Sequence, residues 1–238
     1  MSIRRRDRRA DQLRPLTLER GAAPYAEGSC LVSAGETRVL CTASVEEFLP
    51  DWRRGAGAGW VTAEYAMLPR ATHTRTRRER ARIGGRTQEI QRLIGRSLRA
   101  ATDLESLGER TILIDCDVIV ADAGTRTAAI TGAAIALYEA GQWLLAEGLV
   151  DRNPLRELVA AVSVGIVGDE ARLDLDYEED SKAEVDLNLV ALEGGGIVEI
   201  QGTAEGRALT KAELDQLVEL GLDGIRSIIA AQRNTIGR

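Results

Sequence analysis

The segment from residue 111 to residue 147 constrains the fold more than any other part of the chain. Residues 111–121, TILIDCDVIVA, are rich in β-branched and apolar side chains, which indicates a central strand buried on nearly both faces. Residues 125–147 are small and rich in alanine, and they predict a helix. Only Asp122, Ala123 and Gly124 separate the two elements, so a buried strand enters a helix through a very short turn.

Hydrophobic periodicity predicts the other strands and helices of the 238-residue chain. The further strands are 29–34, 37–45, 60–68, 158–167, 171–177, 183–192 and 197–202, and the further helices are 86–104 and one that starts at Thr210 with Glu213 in a capping box. The basic segment 70–85 is polar and poorly periodic, which predicts an exposed loop. This order of elements predicts an α+β fold. No low-complexity linker divides the chain, so we expect one domain over 1–238.

Composition indicates a cytoplasmic protein. No apolar run reaches the length of a membrane span, and the charged N-terminus has no apolar segment of the signal-peptide kind. The three cysteines, Cys30, Cys41 and Cys116, are scattered, which argues against a disulfide framework and a zinc site. Cys116 lies within the predicted central strand and is expected to be a buried thiol.

The charge is unevenly distributed. The net charge is −6, yet residues 70–99 hold ten arginines against Glu79 and Glu89, and residues 1–20 hold seven arginines against three acids. A concentrated basic band on an acidic protein favours a directed site for a polyanion. The planar arginine fork suits bidentate phosphate contacts. Codon bias could explain why most basic residues are arginine rather than lysine, but it does not explain why they cluster in these two segments.

The turn between the central strand and its helix has the features of a phosphate-binding site. A helix N-terminus offers free N–H groups and the positive end of the helix dipole. Gly124 allows close approach of the backbone to an anion, Thr125 adds a hydroxyl, and Arg126 adds a fork of donors. The alternative is an ordinary junction with Thr125 as N-cap and Arg126 in solvent. The absence of GxxxxGK[ST] argues against a nucleoside-triphosphate P-loop.

Arg86 begins the helix predicted over 86–104, directly after the basic loop. The helix dipole opposes a cation at this end, so the placement is locally unfavourable and indicates a role toward a ligand. A solvated arginine without a ligand is the alternative.

The stretch DYEEDSKAEVDLNLV, 176–190, combines an acidic turn with a strand that carries Asp186 in its middle. In one extended strand, Asp180 and Asp186 would lie ~20 Å apart. They can cooperate only if the turn folds back. Two such carboxylates could hold Mg²⁺, or one could stay protonated as a general acid. The alternative to a functional pair is a solvent-exposed strand face beside an acidic turn.

The scarcity of histidine limits the chemistry. His73, in the basic loop, is the only one, so a Ser-His-Asp or Cys-His arrangement and a His-ligated metal are disfavoured. The reaction must rely on carboxylates and arginines, with or without a hard cation.

Seven segments in order resemble the ribonuclease PH family of phosphate-dependent 3′ exoribonucleases. They are DQLRP (11–15), EGSCLVSAGETRVLCTASVEE (27–47), GWVTAEYAMLPRATHTR (59–75), GRTQEIQRLIGRSLRA (85–100), DCDVIVADAGTRTAAITGA (115–133), LDLDYEEDSKAEVDLNLV (173–190) and VEIQGTAEG (198–206). One departure is Ala123, where the family usually has glycine and where alanine tolerates positive φ poorly.

The resemblance implies roles for the candidate residues. Phosphate binding falls to Arg86, Gly124, Thr125 and Arg126, catalysis and a Mg²⁺ site to Asp180 and Asp186, and RNA contact to Arg70, Arg75 and Arg78. It also implies the family's α+β fold, tRNA precursor 3′ ends as substrate, inorganic phosphate as co-substrate, and a homo-hexameric ring built as a trimer of dimers. Two alternatives remain: a catalytically silent ring subunit that only binds RNA, and a metal-dependent hydrolytic nuclease.

Overall fold

Two β-sheets enclose one long buried helix in the computed structural model, which describes residues 8–79, 82–205 and 207–237. The strands are β1 (Leu16–Arg20), β2 (Gly28–Ala34), β3 (Thr37–Glu46), β4 (Trp60–Met67), β5 (Thr111–Val120), β6 (Val159–Val167), β7 (Glu170–Leu173), β8 (Val185–Leu192) and β9 (Ile197–Ala204), and the helices are α1 (Gly85–Ala101), α2 (Leu104–Leu107), α3 (Thr125–Ala146), α4 (Tyr177–Asp180) and α5 (Lys211–Ile236). The predicted α+β class is confirmed.

The first sheet has the order β1-β2-β3-β5-β4, and the second has the order β7-β6-β8-β9. β4 and β5 run parallel, with α1 in the connection between them, whereas the other pairs are antiparallel. Both predicted hairpins, β2–β3 and β6–β7, are confirmed. The capping box of the last helix is also confirmed, with Thr210 and Glu213 bonded in both directions.

Helix α3 lies between the two sheets, and most of its residues before the last turn are buried. It packs against β2, β3 and β5 of the first sheet and against β6 of the second. A Cβ at Gly132 would lie 2.2 Å from Val32 Cγ2 and 2.9 Å from Cys41 Sγ, so a larger residue would push the sheet away. A helix that is apolar all round belongs in a core. The small residues of this segment therefore place the α3 N-terminus rigidly between the sheets.

Two predicted boundaries and one predicted burial pattern are wrong. The helix predicted to reach 104 ends at Ala101, because Thr102 has extended backbone and Asp103 caps the short α2 through the Ser106 N–H. The strand predicted over 171–177 ends at Leu173, because Asp174 has a positive φ of 55° and turns the chain. β5 is buried on one face only, since Asp117 and Ile119 on the other face are exposed.

The predicted buried thiol is confirmed at Cys116. Cys30, Cys41 and Cys116 lie opposite one another on β2, β3 and β5, and all three are free and buried. Burial raises the pKa of the Cys30 thiol to about 12. Among the described residues, no helix is long and apolar enough to cross a membrane.

Candidate active site

One open pocket of about 450 Å³ lies where the α3 N-terminus meets the second sheet. All six residues proposed for phosphate binding and catalysis line it: Arg86, Gly124, Thr125, Arg126, Asp180 and Asp186. They come from α1, the start of α3, α4 and strand β8 of the second sheet, and up to 100 positions of sequence separate them. The sequence suggested two separate groups: the phosphate cradle, formed by Arg86 and residues 124–126, and the acidic pair, Asp180 and Asp186. In the structure the cradle and the acidic pair face a common space.

The turn into α3 is shaped by two successive left-handed residues. Ala123 has φ 55° and Gly124 has φ 63°, so the alanine adopts the conformation that the sequence makes unfavourable. Gly124 is the N-cap, and no described side chain caps the helix. The alternative with Thr125 as N-cap is wrong, because the Thr125 hydroxyl is hydrogen-bonded to the Tyr65 hydroxyl at 2.8 Å. The first N–H groups of α3 remain at the pocket wall, where they favour an anion.

Arg126 is fixed in place rather than solvated. Its Nη1 donates to Gln201 Oε1 at 2.7 Å and to Glu89 Oε1 at 3.3 Å, and its side chain is 15% exposed. Gln201 in turn donates to Glu89 at 2.5 Å. The alternative of an arginine in bulk solvent is therefore wrong. The contacts hold the guanidinium at the pocket wall while several of its N–H donors remain available.

Arg86 is exposed at the first turn of α1 and has no hydrogen bond or ion pair with a residue in the described ranges. Its positive charge opposes the rise that burial causes in the pKa values of both Asp180 and Asp186, which places it within electrostatic reach of the pair. An unpaired cation above two carboxylates and beside a helix N-terminus can hold an anion.

The acidic turn folds back as cooperation of the two carboxylates requires. Asp176 caps the single-turn helix α4 in a capping box with Glu179, and Asp180 ends that turn. Asp180 lies in the same pocket as Asp186, and its charge raises the Asp186 pKa. A turn of helix, rather than the irregular turn that the composition suggested, brings them together.

Asp186 has the most perturbed carboxyl of the pocket. Burial, followed by the charge of Asp180, raises its pKa to about 6, against the opposing effect of Arg126 and Arg86. Its Oδ1 is buried and has no hydrogen-bond partner in the described structure. Partial desolvation also raises the pKa of Asp180, although the arginines oppose this. A carboxyl with a pKa near 6 can donate a proton close to neutral pH.

A buried ion pair behind the pocket connects the cradle to the acidic turn. Arg14 Nη2 donates to Asp174 Oδ1 at 2.7 Å, and Arg14 Nη1 donates to the Asp122 carbonyl at 2.5 Å. Asp122 Oδ1 accepts the Tyr177 N–H at 3.3 Å. Sequence reasoning missed Arg14 and Asp174, which are 160 positions apart, because neither belongs to a local pattern.

The proposed RNA-contacting arginines, Arg70, Arg75 and Arg78, are exposed in the loop before α1. They have no hydrogen bond or ion pair with other residues of the described ranges. His73, from the same loop, lines the pocket near Tyr177, with ring centroids 6.3 Å apart. The loop itself therefore borders the pocket, but none of the three arginines lines it, and the position of Tyr177 in the lining was not visible from sequence.

The carboxylate pair is compatible with Mg²⁺. The described residues include no group of three or more His, Cys, Asp or Glu side chains suited to a metal ion. Mg²⁺ usually retains water ligands and takes one or two carboxylates together with substrate phosphates. Asp180 and Asp186 supply two carboxylates, and the unpartnered Oδ1 of Asp186 offers a ligand atom.

Comparisons with known proteins match almost the whole chain. The sequence profile of the 3′ exoribonuclease family, domain 1, matches residues 12–142, and that of domain 2 matches residues 157–224. Ribonuclease PH of Methylobacterium radiotolerans is 59% identical over 96% of this chain and 98% of its own, and ribonuclease PH of Methylocella silvestris is 55% identical over 98% and 100%.

Two solved structures have the same fold. Rice Rrp46 superposes with a TM-score of 0.80 at 20% identity over 98% of this chain and 100% of its own. An Archaeoglobus fulgidus exosome with RNA bound to the active site superposes with a TM-score of 0.78 at 23% identity over 93% and 89%. The profile matches and the high identity to the two bacterial proteins show that the chain belongs to the 3′ exoribonuclease family.

Proposed function

We propose that this protein is a phosphate-dependent 3′→5′ exoribonuclease that trims RNA 3′ ends, those of tRNA precursors in particular, and releases nucleoside 5′-diphosphates. One observation carries the proposal: an uncapped helix N-terminus with two arginines shares a pocket with a carboxyl whose pKa is raised to about 6. Phosphorolysis needs both parts, because it joins two anions and then protonates a leaving oxygen. The relatives named ribonuclease PH support this assignment.

The cradle and the arginines position the nucleophile. Inorganic phosphate is already an anion at neutral pH, so it needs no strong base. Arg86, Arg126 and the N–H groups at the start of α3 reduce the repulsion between the phosphate and the RNA phosphodiester and hold them in line. An oxygen of the phosphate attacks the last phosphodiester, and the bond from phosphorus to the 3′-oxygen of the preceding nucleotide breaks.

The carboxylate pair completes the reaction. The departing 3′-oxygen requires a proton, and Asp186 donates it as general acid, with Asp180 raising its proton affinity. Mg²⁺ held by Asp180 and Asp186 is the alternative arrangement, in which the cation would offset the charge of the leaving oxygen. Lys182, exposed after α4, is available to offset charge near the pair.

We further propose a homo-hexameric ring, a trimer of dimers, that acts in the cytoplasm. The fold shared with a solved exosome supports assembly with other chains, and the half-exposed outer face of the first sheet offers a surface for contact. The molar mass in solution, measured by light scattering, tests the ring: a monomer at micromolar concentration contradicts it.

One assay separates this function from its alternatives. The protein is incubated with Mg²⁺ and a tRNA carrying a short 3′ tail, with and without inorganic phosphate, and the released nucleotides are identified. We expect diphosphates only when phosphate is present. Monophosphates in both samples would indicate a hydrolytic nuclease, and RNA binding without any release would indicate a silent ring subunit. Repeating the assay with EDTA tests the need for Mg²⁺.

Replacing Arg70, Arg75 and Arg78 together by alanine should weaken RNA binding and reduce its dependence on salt. Each lost phosphate contact on single-stranded RNA lowers the slope of log K against log salt by about 0.7, so three contacts lower it by about 2. Fluorescence anisotropy at several salt concentrations measures the slope. The control replaces Arg152, Arg226 and Arg233, which carry the same charge but lie outside the basic loop, each in a partly exposed ion pair. Equal slopes for both triple variants would show that the loop has no special role.

We also propose that residues 1–238 form one cooperative domain, although two family profiles divide the chain. Three contacts between the halves support this: α3 packs on both sheets, α5 contacts β1 as well as β6, and Arg14 pairs with Asp174.

A further inference from the structure

Asn188 is a polar residue of the pocket whose side chain has no hydrogen-bond partner among the described residues. It lies on β8, two positions after Asp186, so both side chains project from the same face of the strand. Asn188 is 8% exposed and lines the pocket together with Thr125 and Arg126. No hydrogen bond links its side chain to any residue in the described part of the chain. Its amide atoms are not fully enclosed and open onto the pocket, where they can bond a ligand.

The neighbours across the sheet do not satisfy this amide. Ser163 lies opposite Asn188 on β6, and its Oγ accepts the Leu175 N–H, but no hydrogen bond joins it to the Asn188 side chain. Gln201 lies opposite on β9, and its side chain is taken up by Arg126 and Glu89. Neither of these two cross-strand neighbours binds the Asn188 NH₂ group, which therefore remains available to a ligand.

The surroundings indicate which ligand it takes. Arg86, Arg126 and the N-terminus of α3 make the wall above Asn188 favourable to an anion. The carboxyls of Asp180 and Asp186 line the same pocket, and in their ionised form they repel an anionic oxygen. A neutral amide donor is the group that can stabilise such an oxygen from this strand without adding charge.

We propose that the side-chain NH₂ of Asn188 donates a hydrogen bond to a non-bridging oxygen of inorganic phosphate. It thereby adds a donor from the second sheet to the cradle formed by Arg86 and the start of α3. This inference rests on the proposed phosphorolysis. It makes Asn188 a substrate-contacting residue, and it explains why a polar side chain is kept at a position of the core where leucine would fit the same volume.

The decisive variant is Asn188→Leu, which removes both donors and keeps the shape. We expect the KM for phosphate to rise and kcat/KM for phosphate to fall by roughly 100-fold, as when a single oxyanion donor is removed. The affinity for RNA should stay the same, and the Tm should stay the same or rise, because no protein partner loses a hydrogen bond. Asn188→Asp should weaken phosphate binding further, since it adds a negative charge at the same place.

Gln232→Leu is the matched control. Gln232 is a fully buried amide that does not line the pocket. Its Nε2 donates to the carbonyls of Thr131 and Val159. Its loss should lower the Tm and leave the KM for phosphate unchanged. The two variants therefore separate a ligand contact from a structural contact.

A direct measurement keeps the inference independent of activity. Binding of inorganic phosphate to the wild type, Asn188→Leu and Asn188→Asp is measured by calorimetry in EDTA, so that a lost Mg²⁺ ligand cannot imitate the effect. Unchanged phosphate affinity in Asn188→Asp would overturn the inference even if Asn188→Leu folds poorly. If the wild type releases no diphosphates but its phosphate affinity still depends on Asn188, the proposed function fails and the phosphate contact stands.

Discussion

Asp186→Asn should reduce turnover by about 10²- to 10⁴-fold and leave RNA binding unchanged. The amide has the size of the carboxyl but cannot donate a carboxylic proton to the leaving oxygen, and loss of general-acid catalysis has effects of this order. Single-turnover assays with saturating phosphate measure the chemical step, and anisotropy measures RNA binding. Asp169→Asn is the control, because Asp169 is exposed in the β6–β7 turn and asparagine tolerates its φ of 64°. Normal turnover in Asp186→Asn would remove Asp186 from the mechanism.

The same substitution should stabilise the protein near neutral pH. Burial raises the Asp186 pKa from 3.8 to about 6, so the folded state binds more protons than the unfolded state between these values. The contribution of Asp186 to stability is complete below pH 3.8 and is lost as the pH rises through 6. At pH 7.5 the variant should therefore be more stable by about 1–3 kcal/mol. Urea unfolding in EDTA at pH 4.5 and 7.5 measures this, and a benefit of equal size at both pH values would contradict it.

Asp174→Ala should lower the free energy of unfolding by about 3–5 kcal/mol, because it leaves the buried Arg14 guanidinium without its charge partner. Arg14 donates three hydrogen bonds to the Asp174 carboxylate, two of them from the guanidinium, and both side chains are less than a tenth exposed. Arg8 also lies near this carboxylate, at 3.8 Å. Urea unfolding followed by fluorescence and by circular dichroism measures the loss.

Two comparisons sharpen this result. Asp51→Ala removes an exposed ion pair with Arg54 and should change stability by less than about 1 kcal/mol. Because α3 packs on both sheets and α5 contacts β1 as well as β6, the wild type and Asp174→Ala should each still unfold in one transition. Separate transitions for the two halves would contradict the single domain. A loss in Asp174→Ala no larger than that in Asp51→Ala would mean that the buried pair contributes little.

The elements that depend on near neighbours were predictable from sequence. The hairpins, the helix over 125–146 and the capping box at Thr210 arise from alternation, small residues and caps within a few positions. The cradle was predictable for the same reason, because a buried strand, Gly124 and a helix start are adjacent in the chain. Its details were not: Thr125 is bonded to Tyr65, which is 60 positions away.

The chain by itself determined which residue types could do the chemistry, namely arginines, carboxylates and a helix N-terminus, and it determined the local elements that carry them. Only the tertiary structure decided that these groups face one pocket, that Glu89 and Gln201 fix Arg126, and that the Asn188 side chain lines that pocket without a hydrogen bond to any described residue. The reason is physical: local conformation follows from interactions within one or two turns, whereas burial, pKa shifts and unpaired donors depend on neighbours brought together by packing across α3. The raised pKa of Asp186 is the clearest case, since burial causes it and no spacing in the sequence reveals burial.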